Sequence, residues 1–178
     1  MEIRPYPDPA LREPCAPVTA FDQALADLAR EMIQTMHSST GLGLAAPQVG
    51  VSTRMVVVAP DDKAGREAVL INPELVHTEG WDESDEGCLS FPGIYVKIGR
   101  FTRVRVKYQD VRGESHEMEA EGLLARAVQH ELDHLDGRLL VDRMSSIQRL
   151  AQRRRLRELQ DRYERRTQRA ETGSRAAR

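Results

Sequence analysis

Residues 130–134 read His-Glu-Leu-Asp-His, and this short pattern limits the possible folds more than any other part of the sequence. Residues i and i+4 of a helix lie on one face, so the imidazoles of His130 and His134 could bind a single metal ion. Glu131 would lie beside that metal, where its carboxylate could transfer protons for a bound water. The alternative is a helix with two surface histidines, because the pattern also occurs by chance.

Apolar spacing predicts that the helix carrying this pattern covers residues 122–135 and lies at the centre of the fold. Its apolar side chains recur every three or four residues: Leu124, Val128, Leu132 and Leu135. Gly137 follows as a stop signal. A helix that is apolar over much of its surface has to contact other elements on several sides.

The remaining periodicity predicts an α+β fold, in which small, mostly antiparallel sheets pack around this central helix. A first amphipathic helix is expected over residues 22–38, with Asp22 as its cap. Short strands are expected where Val and Ile cluster or where polar and apolar residues alternate: residues 54–59, 68–71, 94–98, 103–108 and 115–120. The last two strands would form a hairpin.

The C-terminal segment differs from the rest in composition. Residues 143–178 contain twelve arginines, no lysine and four acids, so this segment carries +8 in a chain whose net charge is −2. A third helix is expected from Ser145 or Ser146, with docked first turns, and residues 167–178 are expected to be disordered. Its short apolar stripe consists of Ile147, Leu150, Leu156, Leu159 and Tyr163. The charge suggests contact with a polyanion, and the alternative is a solvated helix rich in Glu–Arg pairs.

Length and composition fit one domain of a soluble protein. At 178 residues the chain can bury its own core, and 40% apolar with 30% charged residues is typical of globular domains. No apolar run approaches the roughly 20 residues of a membrane span, and the N-terminus lacks the apolar core of a signal peptide. We therefore expect a cytoplasmic protein with no membrane partner, whose two cysteines are reduced.

A catalytic metal site usually has three protein ligands and one open position, so a third ligand is needed. No third histidine follows the pattern closely, and Glu158 and Glu164 lie in the charged C-terminal segment. Cys88 is better placed, since it lies between a predicted turn and a strand, and thiolate binds both Zn²⁺ and Fe²⁺. The alternative for Cys88 is a small buried side chain, which is also the interpretation we adopt for Cys15.

Three segments, taken in order, resemble the signature motifs of bacterial peptide deformylase. They read Gly41-Leu-Gly-Leu-Ala-Ala-Pro-Gln48, Glu86-Gly-Cys-Leu-Ser90 and Gln129-His-Glu-Leu-Asp-His134. The resemblance covers residues 1–145, which would form the catalytic domain, and leaves 146–178 as a basic helix and tail. It implies a hydrolase that removes the N-formyl group from the formyl-methionine of new polypeptides and releases formate.

The resemblance also implies a metal centre and the roles of the residues around it. Three residues would bind one divalent ion: Cys88, His130 and His134. The native ion would be Fe²⁺, and Zn²⁺, Ni²⁺ or Co²⁺ could replace it. Glu131 would take a proton from water and deliver it to the departing amine. The side chain of Gln48 and the backbone N–H of Leu89 would stabilise the oxyanion.

The same resemblance suggests how a peptide would bind. Gly41 and Gly43 permit close backbone approach, so that the substrate could pair there as an added strand. Candidates for the methionine pocket are Leu42, Leu123 and Ala127, with core packing as the alternative.

Glu86 and Gly87 are assigned to the same site. We expect Glu86 to orient the site rather than to react, and its partner could be an arginine that the sequence does not identify. Arg126 is expected to point to solvent.

Two other functions remain open at this stage. The first is a general zinc metallopeptidase, which would need a carboxylate or histidine as its third ligand. The second is a non-catalytic RNA-binding module with a structural metal, although such sites normally have four protein ligands. If the chain is a deformylase, its substrates leave the ribosome, and the basic segment could bind ribosomal RNA. We expect no DNA partner.

Overall fold

The computed structural model describes residues 1–60 and 65–176, and within them the chain forms four helices and seven strands. The helices are α1 (Gln23–Ser38), α2 (Gly122–Leu135), α3 (Leu140–Arg143) and α4 (Ser146–Ala176). The strands are β1 (Gly43–Ala45), β2 (Met55–Val58), β3 (Ala68–Glu79), β4 (Asp82–Gly87), β5 (Tyr95–Arg100), β6 (Arg103–Gln109) and β7 (Ser115–Glu121). Short 3-10 helices cover Pro9–Arg12 and Ala46–Val49.

The two sheets are antiparallel and surround α2, which confirms the predicted α+β class. Five strands form one sheet in the order β1-β2-β3-β6-β7, and β4 pairs with β5 in a second sheet. The apolar side of α2 packs on the larger sheet, where Val128 and Leu135 lie in one buried cluster with Val56 and Val104. Burial of each such side chain contributes about 1.5–3 kcal/mol, so packing on the sheet holds the helix that carries His130 and His134 in place.

Helix α1 packs on the other side of the larger sheet, and β1 follows it in the chain. Asp22 accepts a hydrogen bond from the Leu25 N–H at 3.0 Å, as predicted for the cap. Met32 and Met36 are fully buried and pack in a cluster with Met55 and other core residues. The three residues of β1 are buried at the sheet edge, directly after the turn that ends α1.

Strands β1 and β4 were not predicted from the sequence, and strand β3 is longer than predicted. Strand β4 reads Asp-Glu-Ser-Asp-Glu-Gly, whose residues have low strand propensity. It forms because each residue pairs in register with β5, from Asp82 opposite Arg100 to Gly87 opposite Tyr95. Strand β3 continues to Glu79 because it pairs with β6, and register shifts hide its alternation.

Helix α4 departs from the sequence expectation in two ways. It continues to Ala176, past Thr167, from which the sequence predicts disorder; residues 177–178 lie outside the described part. Arg, Glu, Gln and Ala are good helix formers, which explains the extension. The first turns do not dock through their apolar residues either, because Ile147 and Leu150 are 81% and 68% exposed.

The phase of α4 explains which of its residues dock. Gln148 donates to the Lys97 carbonyl at 2.7 Å, which places this side of the helix against β5. Leu156 and Leu159 follow on the same side and pack against the buried cluster that contains Phe91. None of the helices in the described residues is long and apolar enough to span a membrane.

Candidate metal centre and active site

Cys88, His130 and His134 meet at one point of the fold. Each offers one ligand atom, and these atoms all lie within 4.8 Å of one another. The Cys88 Sγ lies 3.2 Å from the His134 Nε2. The pairing of β4 with β5 holds the turn that carries Cys88 against α2, where the histidines lie one helical turn apart. Glu158 and Glu164, the alternative ligands considered above, are exposed on α4.

The electrostatics of this cluster suit a cation. Although burial opposes it, the charge of Cys88 and hydrogen bonds with Cys88 and Glu86 hold the pKa of His130 well above its usual value. Burial, followed by the charge of His130, holds the pKa of His134 well below its usual value. One thiolate and two imidazoles are also a donor set that divalent transition metals bind.

Glu131 lies beside the cluster rather than in it. Its side chain is buried, and its Oε2 has no hydrogen-bond partner among the described residues. Burial raises the pKa of this carboxyl to about 7. A Cβ at Gly43 would approach the Glu131 Oε1 to 2.5 Å, so the glycine leaves room for the carboxylate. The group is therefore placed and tuned to accept and return a proton near neutral pH.

Glu86 orients His130 by a direct hydrogen bond. The His130 Nδ1 lies 2.7 Å from the Glu86 Oε1, and both side chains are buried. Burial favours the neutral carboxyl, but hydrogen bonds from His130 and Arg100 outweigh it and lower the pKa of Glu86 to about 2. An ionised Glu86 accepts a hydrogen bond from the Nδ1–H of His130, which leaves the His130 Nε2 free to bind a metal.

The arginine that the sequence left unidentified is Arg100. Its Nε and NH2 donate to the two oxygens of Glu86 at 3.0 and 2.8 Å, and its NH1 donates to Asp133 at 2.7 Å. A sequence signal for it exists, because Arg100 shares a strand face with the buried Val96 and Ile98.

Arg126 is a second partner of Glu86, and the expectation that it points to solvent was wrong. It is 8% exposed, and its NH1 donates to the Glu86 Oε2 at 3.2 Å and to the Ile98 carbonyl at 2.7 Å. Helical periodicity treats an arginine as a surface residue. Here the buried carboxylate of Glu86 compensates the charge, and that partner lies 40 positions away in the sequence.

We expect Arg100→Met to lower the free energy of unfolding of the metal-free protein by on the order of 3 kcal/mol, because Glu86 and Asp133 stay buried with less compensation. Metal affinity should fall about tenfold, since a positioned ligand loses its support. Urea denaturation and metal titration measure the two effects. Arg103→Met is the control, because that side chain is 47% exposed and should change stability by less than about 0.5 kcal/mol. An Arg100→Met protein as stable as this control would show that Arg100 does not stabilise the site.

Gln48 is buried next to the cluster, not solvated on a loop. Its Oε1 accepts a hydrogen bond from the Ala45 N–H at 2.8 Å, which fixes the direction of the amide. Its Nε2 then faces the Cys88 Sγ at 3.6 Å and the Ser90 Oγ at 3.3 Å. The amide N–H₂ is thereby presented beside the ligand cluster, next to Leu89.

A cavity of about 460 Å³ opens in front of these residues, and His130 and Glu131 lie in its wall. The predicted methionine-pocket residues Leu42, Leu123 and Ala127 all line it. Gly41, Gly43, Glu86, Gly87, Cys88 and Leu89 line it as well. Tyr95, which no sequence pattern singles out, also lines it and is 67% exposed.

Comparison with known proteins gives one consistent result. The profile of the polypeptide deformylase family matches residues 1–150. A peptide deformylase of Acidobacterium capsulatum is 46% identical over 169 residues, which are 90% of this chain and 97% of the relative. That of Thermotoga maritima is 48% identical over 155 residues, which are 86% of this chain and 93% of the relative.

Solved structures agree with the sequence comparison. The crystal structure of peptide deformylase 1B of Arabidopsis thaliana, in complex with an inhibitor, superposes with a TM-score of 0.90 at 39% identity and covers 94% of each chain. A peptide deformylase from Legionella pneumophila superposes with a TM-score of 0.86 at 41% identity, covering 92% of this chain and 97% of that one. This chain therefore belongs to the polypeptide deformylase family, metal-dependent hydrolases that remove the N-formyl group from the N-terminal methionine of new polypeptides.

Proposed function

We propose that Cys88, His130 and His134 hold the metal of this deformylase and that the cavity in front of them binds the formyl-methionyl end of the substrate. The observation that carries this assignment is that the three ligand atoms lie within 4.8 Å of one another, while Cys88 and His130 line the same cavity as Glu131, whose Oε2 is unpartnered among the described residues. A non-catalytic module would give this buried carboxylate no role.

The metal is proposed to be Fe²⁺, on the resemblance of the motifs. Zn²⁺, Ni²⁺ and Co²⁺ also accept a thiolate with two imidazoles, so the donor set alone does not choose among them. When bound, such an ion supplies a Lewis acid that lowers the pKa of water.

Glu131 moves the proton in the proposed reaction. Its Oε2 accepts a proton from water as the water oxygen forms a bond to the formyl carbon. The same oxygen then returns the proton to the methionine nitrogen as the C–N bond breaks, which releases formate and a free amine. Burial raises the pKa of this carboxyl, which favours uptake of the proton before its return.

Two hydrogen-bond donors are proposed to stabilise the negative charge on the formyl oxygen. One is the Gln48 Nε2, whose direction is fixed by the bond between its Oε1 and the Ala45 N–H. The other is the backbone N–H of Leu89, next to Cys88. Loss of one such donor typically costs about 3–4 kcal/mol of transition-state stabilisation.

Strand β1 is proposed to bind the substrate backbone. It lies at the edge of the larger sheet, so its outer side is available to an added strand. Gly41 and Gly43 flank Leu42 at the cavity wall. Such pairing reads backbone groups, whereas Leu42, Leu123 and Ala127 would contact the methionine side chain.

The reaction predicts a strong preference for N-formyl over N-acetyl peptides. An added methyl on the reacting carbon would have to fit between the ligands and the two oxyanion donors, so we expect kcat/KM to fall by at least about 100-fold. Formate and acetate release from matched Met-Ala-Ser peptides measures the ratio. Comparable rates would indicate a general aminoacylase site.

We also propose that this enzyme works in the cytoplasm, on chains leaving the ribosome, and that α4 binds ribosomal RNA. Arg153, Arg157 and Arg162 are exposed on this helix, whereas Leu156 and Leu159 dock it. Exposed arginines on a docked helix can neutralise phosphates without disturbing the cavity.

A triple variant, Arg153→Gln with Arg157→Gln and Arg162→Gln, tests this surface. Each phosphate contact adds about 0.7 to the slope of log affinity against log salt for single-stranded RNA, so we expect the slope for ribosome binding to fall by up to about 2. Turnover of formyl-Met-Ala-Ser should not change, which controls for folding. A slope equal to that of the wild-type protein would leave α4 as a solvated helix.

A further inference from the structure

Two exposed aromatic rings lie side by side near the active-site cavity. The chain has one tryptophan and three phenylalanines, yet Trp81 is 62% exposed and Phe101 is 37% exposed. Their ring centroids are 5.4 Å apart in an edge-to-face arrangement. Large apolar groups exposed together mark interaction sites more often than isolated ones do. We call these two side chains the aromatic platform.

The platform is held in place by the fold. Trp81 lies against Gly99, and a Cβ at that position would collide with its indole ring. The backbone N–H and carbonyl of Phe101 both bond to the side-chain amide of Gln129, at 3.0 and 2.9 Å. Gln129 directly precedes His130 on α2, so the platform is fixed to the helix that carries the metal ligands.

The platform is continuous with the active site. A second cavity of about 240 Å³ is lined by Phe101, and it shares Asp85, Leu123 and Arg126 with the cavity in front of the metal centre. Leu123 is 58% exposed between the two cavities. A peptide bound in the first cavity could therefore extend past the side chain of Leu123 to the aromatic platform.

The distance from the first cavity to the aromatic platform can be estimated along strand β5. Tyr95 lines the first cavity, and Gly99, against which Trp81 lies, is four residues further along the same strand. Four residues of extended chain cover about 13 Å. A bound peptide would need about four residues beyond the cavity to reach the platform.

We propose that the aromatic platform and the second cavity bind the polypeptide substrate itself, at an apolar or aromatic side chain at about positions 4 to 6, counting the formyl-methionine as position 1. This inference rests on the proposed function, because it assumes that the first cavity holds the formyl-methionyl end. The carboxylates of Asp82 and Asp85 line the second cavity, while the charge of Arg126 is shared with buried Glu86, so an acidic residue at this position binds poorly.

The test compares kcat/KM for formyl-Met-Ala-Ser with that for hexapeptides carrying Phe, Ala or Asp at position 4, 5 or 6. In the metal-loaded wild-type enzyme, Phe at one of these positions should raise kcat/KM about tenfold over the tripeptide, and Asp should give no gain. Trp81→Ala should reduce the ratio of kcat/KM for the Phe hexapeptide to kcat/KM for the tripeptide to about one. Ile147→Ala removes a side chain that is 81% exposed on α4 and should keep the wild-type ratio.

Because Trp81 is the only tryptophan, its fluorescence reports the contact directly. Its emission should shift when the Phe hexapeptide binds and stay constant with the tripeptide. A wild-type ratio near one at all three positions, or a ratio that survives Trp81→Ala, would overturn the inference while leaving deformylation intact. A self-association that Trp81→Ala abolishes, with no peptide-length effect, would instead assign the platform to a second copy. Failure to release formate from the tripeptide would contradict the proposed function.

Discussion

Glu131→Gln should leave the metal content of the protein unchanged and lower kcat by about 10²–10⁴-fold, the range that a general acid–base group contributes. The amide has nearly the shape of the carboxylate and occupies the same buried space against Gly43. It cannot accept a proton from water or return one to the leaving amine. Because the three ligand atoms belong to other residues, binding of the metal should persist.

Metal analysis alongside formate release measures both quantities on the same sample. Glu158→Gln, which changes an exposed glutamate on α4, is the matched control and should retain full activity. Substantial turnover by a metal-loaded Glu131→Gln protein would end the assigned role of this carboxylate.

Cys88→Ala should lose both the metal and the activity. The substitution leaves two imidazoles and removes the only thiolate of the cluster, so the affinity for Fe²⁺ or Zn²⁺ should fall by several orders of magnitude. Formate release should fall to the background of the metal-free protein. Metal content after dialysis, and turnover with added metal, measure the two losses.

Cys15→Ala is the control for Cys88→Ala. Cys15 is 7% exposed and packs in the cluster of α2 and the larger sheet, so its loss leaves a small cavity and costs about 1 kcal/mol of stability. Metal content and activity should be unchanged. If Cys88→Ala kept a full complement of metal at normal affinity, the ligand set would be wrong.

The sequence predicts best the elements whose signal is local. Helix α2 has the predicted bounds because its apolar spacing is regular and Gly137 ends it. The hairpin of β6 and β7 follows from clean alternation and its turn. The cluster of Cys88, His130 and His134 was expected from helical spacing for the two histidines, and for Cys88 from thiolate chemistry together with the resemblance of the motifs. These inferences need only one element at a time.

The parts that the sequence missed depend on contacts between elements. Strand β4 exists because β5 pairs with it, although its own residues disfavour a strand. Arg126 is buried because Glu86 is buried opposite it, and neither fact can be read from periodicity. Gln48 looked like a loop residue apart from its motif, and only the fold shows its amide held beside Cys88. Buried charges and amides need a partner, and the partner is distant in sequence.

The most direct test of the central claim is formate release from formyl-Met-Ala-Ser by full-length protein purified without air. With about one bound metal ion per chain, the protein should release formate at many turnovers per second. Removal of the metal by a chelator should abolish release, and added Fe²⁺ should restore it in the wild-type protein but not in Cys88→Ala. Formate release at full rate by the metal-free protein, or none by the metal-loaded protein, would contradict the assignment of the Cys88, His130 and His134 cluster as the catalytic centre.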